Sequence, residues 1–190
     1  MWRRSWLSRE VLLFSLFSMV GAASIVAPAM SALAAILGLA GVTASACIYL
    51  APARPAWNSK TTVADFHLTA LLLGPLYLAA LGAQIPPLAI CLAASAQLLN
   101  QVLKFALLSA AGVDEVELRG SARLLAYDLR SAFLLCLGLL VAGGIVLPLM
   151  HLPAVSFGLA LAGEFLSRYL FFVSVVPKDM AGGFFRREAA

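Results

Sequence analysis

The chain has 190 residues, of which 63% are hydrophobic and only 12% are charged, and its formal net charge is +4. Soluble domains carry about 25% charged residues, and a soluble fold of this size cannot hide so much apolar surface. Composition therefore excludes a soluble globular domain, and the lack of a Lys/Arg tract interleaved with aromatic residues argues against a nucleic-acid partner. We expect an all-α integral membrane protein in a lipid bilayer.

Six apolar stretches follow one another along the chain. A helix needs about 20 apolar residues to cross the hydrocarbon of a membrane, and these stretches lack the apolar/polar alternation of barrel strands. The predicted spans cover residues 10–26, 29–50, 63–81, 87–110, 124–149 and 155–176. They predict one domain over residues 1–190, a bundle of six transmembrane helices.

The first stretch also fits a cleaved export signal, because Arg3 and Arg4 precede an apolar segment. Its length, the Arg9–Glu10 pair at its start and the early onset of the next span favour a transmembrane helix instead.

The connections between the spans differ in charge. The turns near Pro28, Pro86 and His151 contain no Lys, Arg, Asp or Glu. The other side, here named the charged end, holds Arg3, Arg4, Arg9, Arg54, Lys60, Asp114, Glu115, Glu117, Arg119, Arg123, Lys178, Arg186 and Arg187. An even number of spans places both termini at the charged end, and the positive-inside rule predicts that this end is cytoplasmic.

Ionisable side chains open the first and third spans at the charged end. Glu10 follows Arg9, and Asp65 and His67 begin the third span. These positions lie at the interface, where the head group of an amphiphile such as a quinol is found. A carboxylate with access to water acts there as a proton acceptor, and His67 exchanges protons near neutral pH. Anchoring of the helices at the interface is the alternative role.

Polar residues also occur deeper in the fourth and sixth spans, where they are candidates for function. Gln97, Gln101 and Lys104 form a stripe at helical spacing, for which interhelical hydrogen bonds are the favoured interpretation. Glu164 and Arg168 are four residues apart and share one helix face, which predicts a structural ion pair. A ligand-binding or proton-transfer role is the alternative for that pair.

Neither the histidines nor the cysteines predict a metal centre. His67 and His151 belong to opposite membrane surfaces, so this chain alone is not expected to hold a haem between two imidazoles. Cys47, Cys91 and Cys136 are scattered through apolar runs without the short spacing of a zinc or iron–sulfur site.

Three stretches carry a family resemblance. They are "SWLSRE" at 5–10, "YLAPARPAWNSKTTVADFHLTALLLGP" at 49–75 and "AGEFLSRYLFF" at 162–172. In this order they resemble the membrane-anchor subunits of the dimethyl sulfoxide reductase type, and the resemblance covers the whole chain. Family members usually have eight helices, and this chain starts where their third begins. The first two helices, with a His-Leu-Gly stretch tied to the quinol site, have no counterpart here, and His67 does not correspond to that histidine.

The resemblance implies a non-catalytic anchor subunit in the bacterial inner membrane that serves anaerobic respiration. Such anchors bind menaquinol as substrate and hold an iron–sulfur subunit and a molybdopterin catalytic subunit, which carry the metal cofactors. They pass electrons from the quinol to the iron–sulfur subunit without a haem. The family's quinol-linked carboxylate falls on Glu10, which makes Glu10 the expected proton acceptor.

Around Glu10, we expect Arg9 to position the carboxylate, and Asp65 and His67 to complete a quinol-binding site. Two alternatives remain. One is a purely structural tether without a quinol site, and the other is a small transporter whose path is lined by Glu164, Arg168 and the fourth-span stripe.

Overall fold

A computed structural model describes residues 5–178 of the chain, which contain helices and no strand. The helices are α1 (Trp6–Val26), α2 (Ser31–Ile48), α3 (Lys60–Ala80), α4 (Pro87–Ser109), the short α5 (Val116–Arg123), α6 (Arg130–Leu149) and α7 (Pro153–Val173). All except α5 are long and apolar enough to cross a membrane. The predicted all-α fold and the multi-pass membrane class are therefore confirmed. The terminal charges Arg3, Arg4, Arg186 and Arg187 lie outside the described residues.

Local sequence signals explain where several spans begin. The hydroxyl of Ser59 accepts a hydrogen bond from the Thr62 backbone N–H at 3.3 Å and caps the start of α3. Pro87 and Pro153 open α4 and α7, at a position where the missing proline N–H has no intrahelical partner to lose. These signals determine where α3, α4 and α7 begin, and these three helices carry most of the buried polar side chains.

Four spans form the core of the bundle, and two lie at its edge. Helices α3, α4, α6 and α7 pack together around the fully buried side chains of Leu72, Leu76 and Leu140. Helix α2 packs against α3, and α1 packs against α2 without burying any of its own residues. The interfaces among α1, α2 and α3 therefore lie at the rim of the bundle, where a membrane-dissolved molecule has lateral access.

Helix α6 is wound irregularly where it meets its neighbours. Residues Ala142–Val146 form a π-helical turn that contains Gly143 and Gly144. A Cβ atom added at Gly143 would lie 2.9 Å from the Ala160 Cα atom of α7, and one at Gly144 would collide with the Ala94 Cβ atom of α4. Glycine thus allows α4, α6 and α7 to approach at backbone distance, as small residues do in membrane bundles.

We expect Gly143→Ala to destabilise the bundle, because the added methyl group forces α6 and α7 apart. Overpacking of this kind costs about 1–3 kcal/mol. Gly138→Ala is the matched control, since Gly138 is on the same helix and a Cβ there meets nothing within 4 Å. Thermal unfolding of the purified variants in detergent measures the difference, and equal stability of the two variants would contradict this packing.

Candidate functional site

A cluster of polar side chains lies inside the four-helix core. It is named here the core cluster and consists of Asp65 and Thr69 on α3, Gln97 and Gln101 on α4, and Glu164, Ser167 and Arg168 on α7. On α3 and on α4 the two members are four positions apart, and on α7 Ser167 and Arg168 follow Glu164 by three and four positions, so they share the face that points into the bundle. The cluster places two carboxyl groups and one guanidinium group at membrane depth.

The Asp65 carboxylate accepts hydrogen bonds from three side chains of the core cluster. The donors are Gln97 Nε2 at 2.9 Å, Gln101 Nε2 at 2.9 Å and Arg168 at 3.2 Å. The Asp65 side chain is only 1% exposed. A buried carboxylate requires donors and a counter-charge to replace its water, and these three residues supply both.

Two sequence predictions are corrected by this arrangement. Arg168 forms its ion pair with Asp65 of α3, and within residues 5–178 no ion pair joins it to Glu164. The hydroxyl of Thr69 instead lies between the two side chains, at 3.1 Å from Arg168 and 2.7 Å from Glu164. Glu164 and Arg168 share a helix face because they are four residues apart, but the hydrogen-bond partners of both lie on neighbouring helices.

The predicted grouping of Asp65 with His67 is also not found. All side-chain partners of its carboxylate belong to α4 and α7, whereas His67 contacts α2. Two positions along α3 turn a side chain to a different face, so Asp65 and His67 do not share one site.

Gln97 bridges the two carboxyl groups of the core cluster. Its Nε2 lies 2.9 Å from Asp65 Oδ1 and 3.0 Å from Glu164 Oε1, which uses both amide hydrogens. Its Oε1 is buried without a hydrogen-bond partner, and the side chain has no exposed surface. The core cluster therefore contains one more buried acceptor than its donors satisfy.

A second polar site lies at the charged end among α1, α2 and α3. It consists of two separate contacts: Glu10 with Ser45, which is named here the edge site, and Thr43 with His67. The Ser45 hydroxyl donates to the half-buried Glu10 carboxylate, which joins α1 to α2. Thr43 lies 3.0 Å from His67 Nε2, while His67 Nδ1 lies 2.9 Å from the Val63 carbonyl oxygen.

The structure thus brings Glu10 and His67 to the two sides of one helix, α2. Because a carbonyl only accepts, Nδ1 of His67 carries a proton and donates to Val63. Arg9 precedes this site and packs its guanidinium group 4.4 Å from the centre of the Trp6 ring. Sequence reasoning missed Thr43 and Ser45, although two hydroxyl residues at alternate positions of an apolar helix were the available signal.

Aromatic side chains close the charged end above the core. Trp57 in the α2–α3 loop stacks on Phe171 of α7 with ring centres 5.2 Å apart and donates its indole N–H to the Phe171 carbonyl at 2.8 Å. Tyr49 contacts both rings. Lys104, the last member of the predicted α4 stripe, places its ammonium 4.4 Å above the Phe171 ring. The loop is thereby fixed to the end of α7.

No group of three His, Cys, Asp or Glu side chains that would hold a metal ion occurs in residues 5–178. The prediction that this chain binds no haem stays a prediction. Comparison of the chain with protein-family models, curated proteins and solved structures gives no match. The chemistry of the edge site and the core cluster is therefore the basis for assigning a function.

Proposed function

We propose that this chain is the membrane-anchor subunit of a molybdopterin reductase complex of the dimethyl sulfoxide reductase type, and that it oxidises menaquinol at the edge site. The observation that carries the proposal is the carboxylate of Glu10, the fifth residue of α1, which accepts a hydrogen bond from Ser45 at the charged end. A carboxylate at this level reaches both a quinol head group in the membrane and the water outside it.

The proposed reaction balances with the residues of the edge site. Oxidation of a quinol releases two electrons and two protons and leaves the quinone. Glu10 accepts the protons of the two quinol hydroxyls one after the other and passes each to water, and both electrons pass to the iron–sulfur subunit. The Ser45 hydroxyl donates to Glu10, so it stabilises the anion that serves as the base.

Packing between the resembling stretches supports the assignment. Glu10 of the first stretch is bonded to α2, and the second and third stretches meet through Trp57 and Phe171. Phe66 of the second stretch also lies beneath the guanidinium of Arg168 in the third, at 3.9 Å from the ring centre. The residues that carry the resemblance therefore make contacts across helices instead of being scattered over the surface.

The charged end is the proposed docking surface for the iron–sulfur subunit. It presents Arg54, Lys60 and the 112–119 segment, whereas the turns at the opposite end are short and uncharged. Docking here would bring the nearest cluster of the partner to the same end as the edge site. The family resemblance is the basis on which we place the complex in the bacterial inner membrane.

A photo-crosslinking residue at Lys60 should capture the iron–sulfur subunit, because Lys60 is exposed at the charged end. The same probe at His151, exposed in the opposite turn, is the matched control and should capture none. The experiment uses membranes that contain all three subunits. Capture at His151 but not at Lys60 would reject the docking surface, and failure of the three subunits to copurify would reject the anchor assignment.

A further inference from the structure

Glu164 lies outside the edge site, deep in the four-helix core. It precedes Val173, the last residue of α7, by nine positions, which at about 1.5 Å per residue places it about 14 Å from the charged end of the helix. Its side chain is only 3% exposed. The quinol chemistry proposed above does not use this carboxyl group, and ionisable groups at such depth are candidates for function.

Thr69 is placed to serve two protonation states of Glu164. Its hydroxyl oxygen lies 2.7 Å from Glu164 Oε2 and 2.8 Å from the backbone carbonyl oxygen of Asp65, one turn earlier on α3. A hydroxyl has a single hydrogen and donates to only one of these acceptors at a time. When Glu164 is anionic, Thr69 donates to Glu164. When Glu164 is protonated, Glu164 donates to Thr69 and Thr69 donates to the Asp65 carbonyl.

Both arrangements use the same positions of the heavy atoms. The site therefore gains or loses a proton without moving a side chain. A carboxylate beside a group that can only donate could not be protonated on that side without a rearrangement. Asp65 offers no such exchange, because two amide groups and a guanidinium donate to its carboxylate.

Gln97 holds the other oxygen of the Glu164 carboxyl group. Its Nε2 donates to Glu164 Oε1 at 3.0 Å, so Oε2, which faces Thr69, is the oxygen that gains or loses the proton.

We propose that Glu164 is an intramembrane proton-binding site, in which Thr69 is the positioning residue that switches its hydrogen bond. The charged and titratable groups near Glu164 are Asp65 from α3, Cys136 from α6 and Arg168 from α7, and Lys104 from α4 faces Asp65 and Arg168. This proposal requires neither a quinol nor a partner subunit, so its test is independent of the proposed function.

The proton exchanges with the charged end. In that direction Gln101, Lys104 and Ser167 line a cavity of about 20 Å³, enough for one water molecule. In the other direction the core is sealed by Leu72, Ala94, Leu140 and Ala160, all fully buried, and by the close contacts of α6. Protons therefore reach Glu164 from one side of the membrane, the side of the charged end.

Infrared difference spectra between low and high pH test the proposal on the full chain in lipid nanodiscs. We expect a carboxylic acid C=O band that appears as the pH falls, shifts in D₂O, and is lost in Glu164→Gln by the absorbance of one carboxyl group. Asp128→Asn is the control, since Asp128 is exposed and should leave that band unchanged.

Thr69 provides a second test that keeps Glu164 in place. Thr69→Val should shift the frequency of the C=O band because the hydroxyl partner is gone, and Thr69→Ser should restore it. A merely structural role of Thr69 predicts no such pattern. If Glu164→Gln removes no band across the pH range in which the protein is folded, or if Thr69→Val leaves the frequency of the band unchanged, the proposal is overturned.

Discussion

Replacing Arg168 by Met should lower the free energy of unfolding by about 3–5 kcal/mol, the usual cost of leaving one member of a buried ion pair alone. Met fills much of the same volume, so the loss arises mainly from charge. Asp65 is 1% exposed and would keep only the two amide donors of Gln97 and Gln101. Because the Asp65 carboxylate is buried, water is a poor substitute for the guanidinium, and the effect should exceed that of a surface charge.

The double variant Asp65→Asn/Arg168→Met should be more stable than Arg168→Met alone, because it removes both charges together. Unfolding in detergent of the wild type, both single variants and the double variant gives the coupling energy of the pair. Arg123→Met is the control, since Arg123 is exposed on α5. A double variant no more stable than Arg168→Met would show that the 3.2 Å contact contributes nothing.

The spans were predictable because the bilayer imposes their length. Apolar runs of about 20 residues stand out in this composition, and the predicted 87–110 span matches α4 (Pro87–Ser109) closely. The predicted 124–149 span starts six residues before α6 (Arg130–Leu149). The apolar run continues into Leu124–Asp128, which winds as a π-helical turn ahead of the span. Hydropathy does not distinguish that turn from a regular helix.

The partners of the polar residues were not predictable from spacing. Spacing indicated that Glu164 and Arg168 share a face, but their partners lie on α3 and α4, up to 103 residues away in sequence. These pairings depend on how the helices pack, which a single sequence does not reveal. Ser45 was missed for the same reason, since its role appears only when α1 lies against α2.

In the assembled complex, Glu10→Gln should reduce quinol-driven reduction of the terminal substrate by about 10²–10⁴-fold, the usual contribution of a positioned general base. Gln keeps the size of the side chain and still accepts a hydrogen bond from Ser45, but it does not accept a proton. Reduction driven by an artificial donor that feeds the partner subunits directly should be unchanged, because it bypasses this step.

The control for charge is Asp128→Asn, which removes one exposed carboxylate at the same end without touching the edge site. It should retain wild-type turnover with quinol. Comparison of subunit content in the membranes ensures that all variants are assembled to the same extent. Any loss confined to Glu10→Gln then reports proton transfer and not docking.

Under the proposed quinol oxidation, the position of Glu10 accounts for a carboxylate near the start of an otherwise apolar helix. A carboxyl group deep in lipid would be neutral and could not act as a base. A carboxylate fully in water would not reach the quinol ring. As the fifth residue of α1, Glu10 is half-buried and bonded to Ser45, at the rim of the bundle. If Glu10→Gln in assembled complexes sustains wild-type quinol turnover, Glu10 is an interfacial anchor, and the chain is better described as a structural tether.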